Sequence, residues 1–187
     1  DILKRPQMKG IAAYVAYDLA EHVQSSMNTL RNTGLWGGLF AVLVLFYFLR
    51  RTSTTLLVAS AIPVSILFSM WIVYMSGWTL NLVTMLGLMI AVGMVVDNAV
   101  VVVEAIHARH LAGENPHESS LQGASEVGRA ILVSTLTTIV VFLPLIFMSG
   151  SEGFAFAMAR IGMPVTYALL GSLVVALLFI PLSMKRI

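Results

Sequence analysis

Residues 52–96 read TSTTLLVASAIPVSILFSMWIVYMSGWTLNLVTMLGLMIAVGMVV and contain no Asp, Glu, Lys or Arg. A helix needs about 20 apolar residues to cross the hydrocarbon core of a bilayer. The stretch is therefore long enough for two membrane spans, and the turn-forming sequence Ser76-Gly77-Trp78-Thr79 divides it. This pair of spans predicts an α-helical membrane protein.

Three shorter charge-free stretches surround the pair, and each is long enough for one further span: residues 32–49, 130–151 and 161–184. Of the 187 residues, 58% are hydrophobic and 11% are charged, whereas roughly a quarter of the residues of a soluble domain are charged. The prediction is an all-α membrane protein, a five-span bundle over residues 34–187. Its spans are placed at about residues 34–49, 56–75, 80–106, 130–148 and 163–182.

Segments outside the spans predict three further elements. Residues 10–17 have the pattern of a short strand, which is not stable alone, so we interpret residues 1–18 as the end of a water-soluble domain. Residues 19–33 alternate apolar and polar side chains with helical spacing, which predicts an amphipathic helix continuous with the first span. Residues 116–127 predict a second amphipathic helix, on the membrane surface. Both chain ends suggest a section of a longer polypeptide.

Basic residues give the orientation. One side of the predicted bundle collects six of them, whereas the opposite side has only Arg160 after the first span begins: Arg50, Arg51, Arg109, Arg129, Lys185 and Arg186. By the positive-inside rule the basic side is cytoplasmic, so residues 1–33 are predicted to lie outside, in the periplasm of a Gram-negative source. Trp36 and Trp78 then lie at the outer interface, where aromatic residues are enriched.

Asp97 is the chemical anomaly of the sequence, because it lies inside the third predicted span. A charged side chain in the hydrocarbon costs about 2.5–3.5 kcal/mol even on lenient insertion scales. Protonation or pairing with a buried cation lowers this cost, and a group that alternates between these states carries protons. Gly93 lies one turn earlier on the same face and would let a partner helix approach. Glu104, two turns after Asp97, is a candidate proton exit or a solvated interfacial acid.

Other interpretations of the polar residues were weighed. A purely structural Asp97 would bond to hydroxyl groups of a neighbouring helix, for example within residues 134–138, although these hydroxyls are also expected to bond to their own helix. His107 and His110 have a spacing that suits zinc but lack a third ligand, and the Met residues of the third span favour packing. We therefore predict no metal site.

Several classes of function are disfavoured. Basic residues form no stripe with interleaved aromatic residues, so nucleic acid is not an expected partner. The sequence contains no phosphate-binding loop, and no nucleophile–base pair or carboxylate dyad indicates an enzyme. We predict no cofactor. The lipid bilayer is the expected environment.

The sequence Gly93-x-x-x-Asp97, followed by Asn98-Ala99-Val100-Val101-Val102-Val103-Glu104, resembles the fourth-span signature of the resistance–nodulation–division (RND) exporters. The resemblance continues in Tyr17-Asp18, Phe48-Leu49-Arg50 and Phe142-Leu143-Pro144-Leu145, and it covers nearly the whole chain. It is greatest to the branch that exports hydrophobic and amphiphilic compounds. It implies that the five spans are the second to sixth of an amino-terminal half, preceded by the tail of a periplasmic porter domain.

The resemblance also implies a function. It implies a homotrimer in the bacterial inner membrane that exports drugs or amphiphiles by proton antiport. It further implies a periplasmic adaptor and an outer-membrane channel as partners in a Gram-negative source. Asp97 would be the main proton-relay residue, paired with a Lys in the carboxy-terminal half of the same transporter.

One departure bears on the relay. The drug-efflux branch usually has two successive Asp residues, whereas this sequence has Asp97-Asn98. We predict Asn98 as a further residue of the relay, although it hydrogen-bonds without titrating. The number of protons per transport cycle and the branch of the RND family stay open on the sequence alone. Two alternatives also stay open: a lipid- or sterol-sensing module with a structural Asp97, and a proton-driven auxiliary of protein translocation.

Overall fold

The computed structural model describes residues 19–147 and 152–185, and these residues form a bundle of long helices. In chain order the helices are α1 (Leu19–Leu49), α2 (Thr52–Met75), α3 (Leu82–Leu111), α4 (Pro116–Phe147), α5 (Glu152–Val174) and α6 (Ile180–Met184). The predicted all-α architecture is confirmed. The strand predicted for residues 10–17, and the whole segment 1–18, lie outside the described residues.

Five helical stretches are long and apolar enough to cross a membrane: Val23–Leu49, Thr52–Met75, Leu82–Leu111, Pro116–Pro144 and Gly153–Met184. The five-span prediction is therefore confirmed, and the chain is a multi-pass membrane protein. The predicted continuity of residues 19–33 with the first span also agrees with α1, which runs unbroken through both.

Two helices are longer than the predicted spans. Residues 116–127 were predicted as a separate surface helix, but α4 continues from Pro116 through Gly128 and Arg129 to Phe147. A glycine inside a helix costs only about 1 kcal/mol relative to alanine, so Gly128 does not end it. Helix α5 begins at Glu152 rather than near residue 163, and it accommodates Pro164 inside the helix.

A π-helical turn, Val175–Phe179, joins α5 to α6. The Ile180 N–H donates to the Val175 carbonyl, five residues back, instead of to the usual carbonyl four residues back. Pro181 follows directly and has no N–H to donate to the preceding turn. The wider turn lets the chain pass this proline while remaining helical, which is the usual setting of a single π-helical turn.

Helix α3 occupies the centre of the bundle and packs against α1, α2, α4, α5 and α6. Its inward face is made of small and β-branched residues, and Ala91, Val95, Ala99 and Val102 are completely buried. Helix α1 packs against α2 and α3, and its spanning stretch is the least buried of the five. The core therefore lies along one face of α3.

Small residues let α2 and α5 approach closely. Small residues spaced four apart form a ridge on each helix and are completely buried: Ala61, Ser65 and Ser69 in α2, and Ala168, Ser172 and Ala176 within the α5 span. The Ser69 hydroxyl donates to the Pro164 carbonyl across the interface at 2.8 Å. Small residues at such interfaces allow backbones to pack without bulky side chains between them.

Two glycines of the bundle mark backbone-to-backbone contacts. A Cβ added to Gly87 in α3 would lie 2.5 Å from the carbonyl oxygen of Ile161 in α5. At Gly123 in α4, an added Cβ would lie 2.8 Å from the backbone of Ile106. Because both obstacles are backbone atoms, no rotamer change relieves the clash, and only glycine fits.

We expect Gly87→Ala to lower the free energy of unfolding by about 1–3 kcal/mol, because the helices must separate to admit the methyl group. Gly37→Ala is the matched control, since an added Cβ there meets nothing within 4 Å. The control should unfold at the same temperature as the parent or slightly higher, given the helix propensity of alanine. Thermal unfolding in detergent measures both. Equal melting temperatures for the two variants would contradict the close approach of α3 and α5.

Candidate functional site

Asp97 lies at the middle of α3. At 1.5 Å per residue, it is about 22 Å from the Leu82 end of the helix and about 21 Å from the Leu111 end. The predicted span ended at about residue 106, and α3 continues beyond it for another turn. Asp97 is thus nearly equidistant from the two ends of α3.

The Asp97 side chain lies on the exposed face of α3, opposite the buried core. Ile90, Gly93, Val101 and Glu104 are exposed on the same face, at the three- and four-residue intervals that align side chains along a helix. Within residues 19–147 and 152–185, no side chain forms a hydrogen bond or ion pair with Asp97. The described part of the chain therefore leaves this carboxylate without a polar partner.

Asn98, the next residue, faces into the bundle and joins three helices. Its amide nitrogen donates to the Ser172 hydroxyl of α5 at 3.4 Å, and its amide oxygen accepts from the Thr135 hydroxyl of α4 at 3.2 Å. Ser172 in turn donates to the Val95 carbonyl at 2.6 Å. We call these four residues the Asn98 network. It fixes the rotation of α3 about its axis and so directs Asp97 outward.

The Ser/Thr cluster of α4 was considered as an alternative set of partners for Asp97. Thr135 bonds to Asn98 instead, while Thr137 and Thr138 donate to the Val133 and Ser134 carbonyls one turn back in their own helix. Thr137 and Thr138 therefore bond as expected, each to a carbonyl of its own helix. The expectation does not hold for Thr135, which bonds across helices.

Gly93 and Glu104 lie on the same exposed face of α3 as Asp97. A Cβ added at Gly93 would meet nothing within 4 Å, so no helix of the described part approaches there. Glu104 is exposed and lies about 10 Å from Asp97 along the axis of α3. The helix approach predicted at Gly93 and the relay role predicted for Glu104 both stay predictions.

His107 and His110 lie in the last turns of α3, and its methionines are spread along the helix. No group of three His, Cys, Asp or Glu residues that could hold an ion occurs in the described ranges. Met89 lies against Gly34 of α1, whereas Met94 packs against the core cluster between α3, α4 and α5. His107 and His110 line a cavity at the basic end of the bundle.

Sequence reasoning treated Asn98 as a relay residue and missed its role as a tie between helices. Its partners lie 37 and 74 residues away in the chain, so no local pattern pairs them. The one available signal was the position of Ser172 within a ridge of small residues, which marks a helix interface without specifying the opposite residue.

Comparisons with known proteins agree with this architecture. The profile of the AcrB/AcrD/AcrF family matches residues 3–186. Two multidrug resistance proteins named MdtC, from Shigella flexneri and Escherichia coli O1:K1, are each 39% identical to this chain over 140 residues. A crystal structure of a heavy metal efflux pump superposes with a TM-score of 0.73 at 27% identity and covers 89% of this chain. The matched part amounts to 14% of each MdtC protein and 17% of the pump chain.

We expect Thr135→Val to destabilise the bundle by about 0.6–1.7 kcal/mol, because it leaves the Asn98 amide oxygen without its donor between packed helices. Thr137→Val is the control, since that hydroxyl is exposed and bonds only within α4. Thermal unfolding of the two variants in the same detergent measures the difference. If Thr137→Val proved as costly as Thr135→Val, the Asn98 network would not be holding the helices together.

Proposed function

We propose, from the premise that this chain belongs to the AcrB/AcrD/AcrF family, that it forms part of the transmembrane domain of an RND exporter and carries that exporter's proton site. The family assignment rests on a match over nearly the whole chain. The proposal about activity goes further, because the chain covers a small part of its relatives. The observation that carries it is the unpaired carboxylate of Asp97 at the centre of α3.

An unpaired carboxylate at this depth demands a chemical partner. In hydrocarbon its ionised form costs about 2.5–3.5 kcal/mol, so it is either protonated or paired with a cation. The exposed face of α3 has room for a further helix, and Gly93 would allow that helix to come close. We propose that this helix belongs to the carboxy-terminal half of the transporter and that it supplies the Lys partner.

The alternation between these two states is what would couple protons to movement. Ionised Asp97 attracts the proposed Lys and holds the two halves together. Protonation removes the attraction, so the preferred arrangement of the halves changes. A single site of this kind converts proton uptake on one side and release on the other into a conformational cycle. Glu104, on the same face, would lie on the path between Asp97 and the cytoplasm.

The proposed role of Asn98 differs from that of Asp97. It does not titrate, and both ends of its amide are engaged by Thr135 and Ser172. We propose that it acts as an anchor that keeps α3 from rotating when Asp97 changes its charge. Asp97 would then be the one titrating residue at this level of the α3 helix.

The assembly and cargo are proposed from the relatives. Proteins named for multidrug resistance support the export of drugs or other amphiphiles. We propose a homotrimer in the bacterial inner membrane that works, in a Gram-negative source, with a periplasmic adaptor and an outer-membrane channel. The structural neighbour is a heavy metal efflux pump, but Met89 and Met94 lie against different helices here, which favours an organic cargo.

We expect Asp97→Asn in the full-length transporter to reduce efflux to the level of cells that lack the transporter, because the amide cannot exchange a proton. Glu118→Gln is the matched control: it removes an exposed carboxylate that lies in the first turn of α4, away from the Asp97 face. This variant should retain most of the efflux. Accumulation of a fluorescent amphiphile in intact cells measures transport.

Expression and oligomeric state of both variants are checked in parallel by size-exclusion chromatography. Undiminished efflux by a normally assembled Asp97→Asn variant would contradict the proposal and favour a sensing module with a structural Asp97. Equal losses in both variants would show that the loss of any carboxylate impairs the transporter, and would also contradict the proposal.

A further inference from the structure

A cavity of about 360 Å³ lies at the basic end of the bundle, where α1 ends, α2 begins and α3 ends. Its polar wall contains four basic side chains: Arg50, Arg51, His107 and His110. Its other wall contains apolar residues, including Phe46 and Met184. The cavity is therefore amphiphilic, because a cationic wall lies beside a hydrophobic wall.

Among the described residues, no acidic side chain lies on the basic side of this cavity. None of the residues that line the cavity is acidic. In the described ranges neither Arg50 nor Arg51 forms an ion pair, whereas Arg109 on the same side of the membrane is bound to Glu114 at 2.7 Å and to Glu126 at 3.0 Å. The arginines of the cavity thus remain available to an external anion, in contrast to their neighbour.

The first turn of α2 adds to this positive field. Arg51 is the N-cap residue and makes no side-chain capping bond, and the first turn contains no acidic residue. Thr52 and Ser53 line the cavity. Backbone N–H groups at an uncapped helix N-terminus favour anions, so the helix reinforces the two arginines that precede it.

The backbone of Arg50 is also unusual. Its φ angle is 52°, and it is the only residue other than glycine with a positive φ among the described residues. Glycine adopts this conformation without steric cost and is the common residue after a helix C-terminus. An arginine is conformationally unfavourable here, so the turn itself does not explain why residue 50 is an arginine. Such outliers cluster at ligand-binding sites.

We propose that this cavity binds the phosphate group of an anionic phospholipid from the leaflet on the basic side of the membrane. Arginine is the residue best suited to phosphate, and the ends of α1, α2 and α3 lie at headgroup depth. Phe46, with 47% of its surface exposed, offers an apolar surface to an acyl chain, which a free phosphate ion would not use. This inference requires the membrane placement of the helices and is independent of proton-driven transport.

The test uses the protein purified at full length and stripped of lipid, with retained lipids counted by native mass spectrometry. Dioleoylphosphatidylglycerol should bind more tightly than dioleoylphosphatidylcholine. Arg50→Gln combined with Arg51→Gln should weaken phosphatidylglycerol binding by about 30-fold, since each basic residue contributes to attraction for an anionic lipid. Arg129→Gln, an exposed basic residue on the same side but outside the cavity, should leave it unchanged.

Arg50→Gly separates binding from folding. Glycine accepts the positive φ, so this variant should melt no lower than the parent while its affinity for phosphatidylglycerol falls. Equal affinities for the two lipids, or undiminished binding in the double variant, would overturn the proposal. Complete displacement of phosphatidylglycerol by millimolar inorganic phosphate would overturn the lipid assignment and point to a soluble phosphate compound.

Discussion

The burial of one face of α3 is the constraint on which the rest of the structure depends. Every other helix of the bundle packs on this helix, and its small residues set how close they come. Gly87 admits the backbone of α5, and Ile106 lies against Gly123 of α4. Because small and β-branched residues occupy the face that makes these contacts, Asp97 lies on the opposite, exposed face of α3. The position of the carboxylate is thus a consequence of packing as much as of sequence.

Hydrocarbon thickness explains why the architecture could be predicted from sequence. A helix that crosses a bilayer must be apolar over a fixed length, and this requirement is local, so residues 52–96 alone indicate two spans. Continuity between elements is not local. Helix α4 passes through Gly128 because the turns before it pack on α3 through Gly123, and no feature of residues 116–130 reveals that contact.

The candidate site was predictable only in part, for a related reason. Asp97 is recognisable from sequence because the bilayer penalises charge wherever it occurs. The orientation of Asn98 depends on Thr135 and Ser172, which are distant in the chain and ordinary in composition. The left-handed backbone of Arg50 was equally hidden, since an Arg-Arg pair after a span is accounted for by membrane orientation alone.

The unbroken course of α1 has a mechanical consequence. Thirty-one residues in one helix form a rod of about 46 Å, whereas the hydrocarbon core is about 30 Å thick, so roughly a third of the rod stands outside the membrane. Gly34 of this rod rests on Met89 of α3, near the level where the rod leaves the bilayer. The Leu19 end of the rod lies about 22 Å from this contact, so a tilt of only about 5° about it would move that end by about 2 Å, and an adjustment beside α3 would reach the part of the rod outside the membrane.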